Sequence, residues 1–135
     1  MIVIDASSIA KYILKEKNWE SVRKYLYERQ TFSLTLALAE VSNAIWKHCV
    51  LYKKISIKEA KTMFSILEIL ENDVIIFEPL KDYLKDALNL SIEERITVYD
   101  SLYIVQAEKY GEFLTSDEKQ WTIAEKRGIK AKYIE

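Results

Sequence analysis

Residues 2–14 read "IVIDASSIAKYIL", and the hydrophobic pattern of this stretch changes at one acid. The β-branched run of residues 1–5 predicts a short buried strand that ends at Asp5. Directly afterwards, Ile9, Tyr12 and Ile13 recur at helical spacing, which predicts a helix. A strand that passes straight into a helix is the first unit of an α/β arrangement.

The remaining chain repeats this alternation. Further strands are predicted at residues 32–35, 73–78, 112–117 and 129–135. Helices are predicted at residues 18–30, 36–54, 60–71, 80–90 and 97–107. Thr35 is expected to cap the long helix, and Ser56 with Glu59 forms a capping box before the next one. Two similar segments, "AEKYG" (107–111) and "AEKRG" (124–128), each predict a helix that ends at a glycine and leads into a strand.

Short connections between strands and helices predict a mostly parallel central sheet flanked by helices, in one domain over residues 1–135. The chain contains only 2 Gly and 1 Pro, so long flexible linkers are not expected. With 50% hydrophobic and 30% charged residues, it can bury a core and remain soluble.

Charge and cysteine content exclude some classes of protein. The formal net charge of −1 is unlike that of a strongly basic nucleic-acid binder. A single cysteine, Cys49, cannot form an internal disulfide, which fits a reducing compartment. The N-terminus lacks a basic region, and no apolar run is long enough to span a membrane. We therefore expect a soluble, cytoplasmic protein.

Four acids stand in unusual contexts: Asp5 and Asp117 end strands, while Glu40 and Asp100 interrupt apolar helical faces. Asp5 can serve simply as a helix N-cap, Thr115 with Glu118 can form a capping box beside Asp117, and Thr97 can cap the helix of Asp100. The joint pattern favours a site. Ligands of open parallel sheets bind beyond the carboxyl ends of the strands, where all four acids would meet.

Such a cluster needs a cation, because several carboxylates without one repel each other. Oxygen ligands without histidine or cysteine are typical of Mg²⁺ or Mn²⁺ and not of zinc. These ions activate water and stabilise charge during phosphodiester hydrolysis.

The chain resembles the PIN-domain ribonucleases, most closely the VapC toxins of prokaryotic toxin–antitoxin pairs. The resemblance is carried by four stretches: "IVIDASSIAKYIL", "LTLALAEVSNAIWK", "TVYDSLYIVQAEKYG" and "FLTSDEKQ". The acidic set of the family falls in order on Asp5, Glu40, Asp100 and Asp117. Its small polar residue after the first Asp falls near Ser7 or Ser8, and its threonine falls on Thr115.

The resemblance implies a three-layer α/β/α fold and Mg²⁺- or Mn²⁺-dependent RNA cleavage. Asp5, Asp100 and Asp117 would hold the metal directly or through water, and Glu40 would complete its shell or act as base. Ser7 and Thr115 are expected to support these ligands through hydrogen bonds, as is Asn43, for which plain packing is an alternative. The resemblance also implies a VapB-like antitoxin partner and a homodimer.

Basic side chains around the acidic edge of the sheet are expected to contact RNA. The alternative is that they belong to ordinary solvated helix faces. These residues are Lys11, Lys15, Lys47 and Lys119, together with Lys17 and Arg23. The adjacent His48 and Cys49 are expected to be structural, because no triad or metal-ligand partners surround them. Core packing is expected for Trp46, Tyr52, Met63 and Phe64, with a dimer face as the alternative.

Two other functions compete. A receiver-like or other non-enzymatic α/β binding module would show adjacent acids after its first strand, whereas here only Asp5 follows it. A PIN nuclease of RNA processing or quality control would use the same acids. The compact chain favours the toxin type over such a nuclease, since processing enzymes often carry added modules.

Overall fold

The protein is described here by a computed structural model of all residues, Met1–Glu135. The strands are β1 (Ile2–Ile4), β2 (Thr31–Leu34), β3 (Ile75–Glu78), β4 (Glu112–Thr115) and β5 (Lys130–Tyr133). The helices are α1 (Ala6–Ile13), α2 (Trp19–Glu28), α3 (Thr35–Trp46), α4 (Ile57–Asp73), α5 (Leu84–Glu94), α6 (Val98–Tyr110) and α7 (Glu118–Lys126). A π-helical turn (Lys47–Leu51) follows α3, and a 3₁₀ turn (Leu80–Tyr83) precedes α5.

All five strands are parallel, in the order β3-β2-β1-β4-β5. The chain builds one side of the sheet first, then crosses back to place β4 beside β1. Helices α1 to α4 pack together on one face, while α5, α6 and α7 pack on the other. The predicted three-layer α/β/α fold with a parallel sheet is therefore confirmed. The order of strands reverses between β1 and β4, which is where open α/β sheets bind ligands.

A single apolar core of 30 buried residues fills both interfaces between sheet and helices. Val3, Ile4, Phe113 and Leu114 of the two central strands are fully buried, as expected for a sheet covered on both faces. Tyr103 and Ile104 of α6 are buried against this sheet. The core therefore fixes both the strand ends and the helix that carry the acids of interest.

Most helix ends follow local sequence signals. Ser56 and Glu59 form the predicted capping box, and Thr97 caps α6 by accepting the Asp100 main-chain N–H at 3.2 Å. Gly111 and Gly128 adopt the left-handed conformation, with φ of 88° and 81°, after α6 and α7. A side chain would strain the backbone at this φ, which explains glycine at these two positions.

The predictions for α3 were wrong in two respects. Leu34 is its N-cap, while the Thr35 hydroxyl accepts the Leu80 N–H at 3.3 Å and so serves a tertiary contact. The helix also stops being α-helical at Trp46, not at residue 54. His48 Nδ1 donates to the Ala44 carbonyl at 3.0 Å, and the Lys47 N–H donates to the same carbonyl, so a side chain competes with the main chain for this acceptor, a known cause of helix distortion.

Core packing was a wrong prediction for three of the aromatic residues. Trp46, Tyr52 and Phe64 are about half exposed, while Met63 packs partly against the core. Trp46 and Phe64 lie on the outer faces of α3 and α4, and Tyr52 lies just beyond the π-helical turn. No helix combines the length and the apolar character that crossing a membrane requires.

Candidate active site

The ends of β1 and β4 bring the first and last acids to one edge of the sheet. Ile4 and Leu114 are partners in the parallel register, and the Asp5 N–H donates to the Leu114 carbonyl at 3.3 Å. Asp5 follows β1 directly, and Asp117 lies two residues beyond β4. Both acids therefore stand at the reversal point of the strand order.

Asp5 is almost completely buried, with 1% of its surface exposed. Its Oδ1 accepts from Ser7 Oγ at 2.6 Å and from the Ser8 N–H at 3.1 Å, so Asp5 does cap α1 as its structural interpretation predicted. Its Oδ2 accepts from Thr115 Oγ1 at 2.5 Å. Burial raises the pKa of Asp5 to about 7; hydrogen bonds from Ser7, Thr115 and Ser8 oppose the shift, and the charge of Asp117 adds to it.

Hydroxyl groups tie α1 to the loop after β4. Ser7 Oγ accepts the Ser116 N–H at 2.9 Å, and the oxygens of Ser8 and Ser116 lie 2.9 Å apart. Thr115 Oγ1 accepts the Asp117 N–H at 3.0 Å. The loop that carries Asp117 is thus held by the residues that surround Asp5.

Asp117 is itself the N-cap of α7, with Oδ1 accepting the Gln120 N–H at 3.0 Å. The expected Thr115–Glu118 capping box is therefore absent. Thr115 Oγ1 donates instead to Asp5, because Thr115 is still in β4 and its buried side chain faces the neighbouring strand end. Asp117 as a whole is partly buried.

Glu40 and Asp100 approach this edge from helices on opposite faces of the sheet. Glu40 lies in α3 and accepts from Tyr103 Oη at 2.5 Å. Burial raises the pKa of Glu40; the Tyr103 hydrogen bond opposes this, and the charge of Asp100 adds to it. Asp100 lies in the first turn of α6, and its Oδ1 accepts from Gln120 Nε2 at 2.9 Å.

Tyr103 joins the two halves of the acidic group. Burial raises the pKa of its hydroxyl far above the usual range, and the negative charges of Glu40, Asp5 and Asp100 raise it further. The phenol therefore stays protonated and acts as a hydrogen-bond donor at any working pH. Three of the four acids lie within electrostatic reach of this one hydroxyl.

Another carboxylate, that of Glu78 at the end of β3, anchors α6. It accepts from Tyr83 Oη at 2.6 Å, from Gln106 Nε2 at 2.9 Å and from Tyr110 Oη at 2.9 Å, and Lys109 Nζ lies 3.6 Å away. Burial alone would raise the pKa of Glu78, but these hydrogen bonds and the Lys109 charge outweigh it and lower the pKa. The helix that carries Asp100 and Tyr103 is thereby fixed against β3.

The acids do not form a closed metal cage. No three His, Cys, Asp or Glu side chains converge closely enough to enclose an ion. The donor set nevertheless fits Mg²⁺ or Mn²⁺: it is made only of carboxylate oxygens, and Mg²⁺ usually binds through one or two carboxylates while keeping several waters. Two surface clefts, one between α2 and β5 and one between α5 and α6, are lined by none of the four acids.

The other candidate site residues from the sequence differ in how exposed they are to solvent. Lys15, Lys47 and Lys119 are exposed, whereas Lys11 is buried and its Nζ donates to the Lys17 carbonyl at 3.0 Å, so Lys11 is not a surface contact. Asn43 is exposed and makes no side-chain hydrogen bond to Glu40.

Two polar side chains that donate hydrogen bonds to the acids, those of Tyr103 and Gln120, were not predicted from the sequence. Tyr103 lies on the apolar face of its helix, where the sequence indicates only core packing, and its contact with Glu40 joins residues 63 positions apart. Gln120 had a local signal, since a Gln three residues after an N-cap Asp is typical of a helix start. Its contact with Asp100, however, depends on how α6 and α7 pack.

The fold and the order of the acids define a PIN-type α/β domain, and comparison with known proteins agrees. The PIN domain family model matches residues 2–126, so the chain belongs to the PIN-domain family. Within it, the chain is similar to Ribonuclease VapC3 of Pyrobaculum aerophilum: the two are 33% identical over 131 residues, which cover 93% of each protein.

A solved structure supports the fold independently. The crystal structure of PAE2754 from Pyrobaculum aerophilum superposes with a TM-score of 0.66, covering 90% of this chain and 82% of that one. At 20% sequence identity this likeness concerns the fold alone. Family membership excludes the receiver-like alternative.

Proposed function

We propose that this PIN domain is a VapC-type toxin that hydrolyses RNA phosphodiester bonds with Mg²⁺ or Mn²⁺ bound at Asp5, Glu40, Asp100 and Asp117. The observation that carries the proposal is the meeting of Asp5 and Asp117 at the β1–β4 edge, with Glu40 and Asp100 joined to it through Tyr103 and Gln120. The similarity to a ribonuclease of the VapC type supports the choice of reaction.

Asp5, Asp100 and Asp117 would hold the cation directly or through bound water, with Ser7 and Thr115 fixing Asp5 through hydrogen bonds. A bound divalent cation would neutralise the carboxylates, acidify a bound water and stabilise charge on the phosphate. Glu40 would complete the ligand set or take the proton of the attacking water. Its raised pKa brings it closer to the range in which a carboxylate works as a base.

RNA fits this site better than a small molecule does. The four acids stand at a sheet edge and line neither the cleft between α2 and β5 nor that between α5 and α6, so an extended RNA strand can approach them. Apart from these four acids the chain is net positive, since the formal charge of −1 includes them. Lys15, Lys47 and Lys119 are exposed and are proposed to contact phosphates.

We also propose a VapB-like antitoxin, a homodimer and a cytoplasmic location. The support for protein partners is a group of large apolar side chains that remain exposed on and around the π-helical turn. These residues are Trp46, Val50, Leu51, Tyr52, Ile57 and Phe64. Light scattering of the purified chain, alone and with the product of a neighbouring antitoxin gene, tests both associations.

The deciding experiment is cleavage of labelled RNA by wild type, Asp5→Asn and Asp100→Asn, with EDTA and after readdition of Mg²⁺ or Mn²⁺. Wild type should cut only with metal, and both variants should lose cleavage while keeping a folded circular dichroism spectrum. Asp86→Asn, which changes an exposed acid of α5, is the control and should cut normally. Cleavage by both site variants would refute the proposed site.

Expression in cells distinguishes a toxin from an RNA-processing nuclease. A toxin should arrest growth when expressed, and Asp5→Asn should relieve the arrest. A neighbouring antitoxin gene would support the same conclusion. Normal growth on expression of an active nuclease would favour the RNA-processing function.

A further inference from the structure

We propose that Gln120 is a positioning residue of the acidic site, whose side-chain amide holds Asp100 in the orientation that a divalent cation requires. Its main chain binds Asp117 at the same time, so one residue links two of the four acids. This inference rests on the proposed function, because it concerns the same metal site.

The ordinary role of a residue at this position is seen elsewhere in the molecule. In α4 the N-cap Ser56 accepts the Glu59 N–H at 3.0 Å, and Glu59 Oε1 accepts the Ser56 N–H at 3.0 Å. This reciprocal pair is the capping box, in which the third helical residue turns its side chain back toward the N-cap.

Helix α7 has only the first half of this arrangement. Asp117 Oδ1 accepts the Gln120 N–H at 3.0 Å, but the Asp117 N–H donates to Thr115 Oγ1, also at 3.0 Å. The usual partner of the Gln120 side chain is therefore already occupied. Gln120 instead extends toward α6, where Nε2 donates to Asp100 Oδ1 at 2.9 Å.

The amide oxygen of Gln120 indicates that the side chain does more than fill space between the helices. Gln120 is 6% exposed, and its Oε1 is buried without any hydrogen-bond partner. A buried acceptor that lacks a partner costs stability, and an apolar side chain of the same size would avoid the cost. Reversing the amide would place Oε1 against a carboxylate oxygen of Asp100, so this carboxylate determines the orientation.

The two carboxylate oxygens of Asp100 therefore have different surroundings. Oδ1 is committed to Gln120, while Oδ2 receives no hydrogen bond from the protein. Fixing one oxygen sets the plane of the carboxylate and leaves the other available to a cation. Partners of this kind, which orient a metal ligand without touching the metal, typically contribute 10- to 100-fold to metal affinity or activity.

The test is Gln120→Met, which keeps the volume and removes both the donor and the unpartnered oxygen. Mn²⁺ binding is measured by electron paramagnetic resonance of the free ion, without RNA, and stability by thermal unfolding in EDTA. We expect Mn²⁺ affinity to fall by about 10- to 100-fold while Tm stays the same or rises. The Mn²⁺ concentration for half-maximal RNA cleavage should rise in parallel, with kcat at saturating Mn²⁺ changing less.

Glu59→Met is the matched control, because Glu59 holds the same helical position in an ordinary capping box. It should lower Tm and leave Mn²⁺ affinity unchanged. Gln120→Leu repeats the test if the Met variant folds poorly. Wild-type Mn²⁺ affinity in folded Gln120 variants would overturn the positioning role while leaving the metal site standing. No Mn²⁺ binding by the wild-type protein would overturn the metal site and this role with it.

Discussion

Thr115 Oγ1 donates to Asp5 Oδ2 at 2.5 Å, across the carboxyl ends of two neighbouring parallel strands. The same oxygen accepts the Asp117 N–H at 3.0 Å. One hydroxyl therefore sets the position of the first acid and of the loop that carries the last one. A contact between residues 110 positions apart thus organises half of the proposed site.

Thr115→Val should reduce metal-dependent RNA cleavage by about 10- to 100-fold, because Asp5 and Asp117 both lose a fixed partner. Stability should fall by about 1–3 kcal/mol, since the partly buried Asp117 N–H and a buried carboxyl oxygen of Asp5 are left unpaired. Cleavage kinetics and urea unfolding check the two effects. Thr115→Ser keeps the hydroxyl and should retain most of the activity; equal losses in both variants would contradict a role for the hydroxyl.

Asp5 should make the metal-free protein less stable as the pH rises. Its folded pKa is about 7 against 3.8 for an ordinary Asp. Between these values the folded state holds a proton that the unfolded state has released. Stability therefore falls by about 1.4 kcal/mol per pH unit over this window and stops falling above it.

Urea unfolding in EDTA from pH 4.5 to pH 8 measures this slope in wild type and in Asp5→Asn. The variant should lose the part of the slope that Asp5 contributes, and Mg²⁺ or Mn²⁺ should restore wild-type stability at pH 8. Parallel stability curves for the two proteins would show that the Asp5 carboxyl titrates as an ordinary surface acid.

The location of the acids could be predicted from sequence because it follows from short-range signals. Alternating strands and helices place every strand end at one edge, so Asp5 and Asp117 had to meet there once β1 and β4 were neighbours. Caps such as Thr97, and glycines such as Gly111, are likewise local features. These signals depend on residues within one turn of each other.

What could not be predicted depends on how helices rotate and pack against each other. Gln120 reaches Asp100 only because α7 lies beside α6. Lys11 looked like a surface residue, but its ammonium reaches the Lys17 carbonyl in the turn after α1. Nothing in the sequence near Glu78 indicates its hydrogen-bond partners. These partners lie on the 3₁₀ turn and on α6, and they meet Glu78 because of its position at the end of β3.

Tyr103→Phe should weaken catalysis with little change of fold. The phenol is buried and makes the one protein hydrogen bond to the Glu40 side chain. Without it, burial and the Asp100 charge act unopposed, and the pKa of Glu40 rises further. The acidic limb of the kcat/KM profile should therefore move to higher pH, with a stability loss of about 1 kcal/mol. Tyr99→Phe, on an exposed neighbour in α6, is the control; an unshifted profile for Tyr103→Phe would contradict the assignment of Glu40 to catalysis.

Glu78 should stabilise the fold above about pH 4.5 and lose this effect in acid. Its pKa is lowered in the folded chain, so below the ordinary value of 4.5 the unfolded state takes up the proton first. Stability then decreases with falling pH until the folded carboxyl is protonated as well. Glu78→Gln should flatten this part of the curve in urea unfolding between pH 2.5 and pH 5, whereas Glu68→Gln, on the exposed side of α4, should not.

RNA binding should depend on salt if lysines contact phosphates near the acids. Lys15, Lys47 and Lys119 are exposed, so replacing all three with Gln should weaken binding of single-stranded RNA. Each phosphate contact contributes about 0.7 to the slope of log affinity against log salt, so the slope should shrink by about 2. Binding is measured with the inactive Asp100→Asn protein, which prevents cleavage during the titration. Lys61→Gln, on the exposed face of α4, should leave the slope unchanged, and an unchanged slope in the triple variant would remove these lysines from the RNA path.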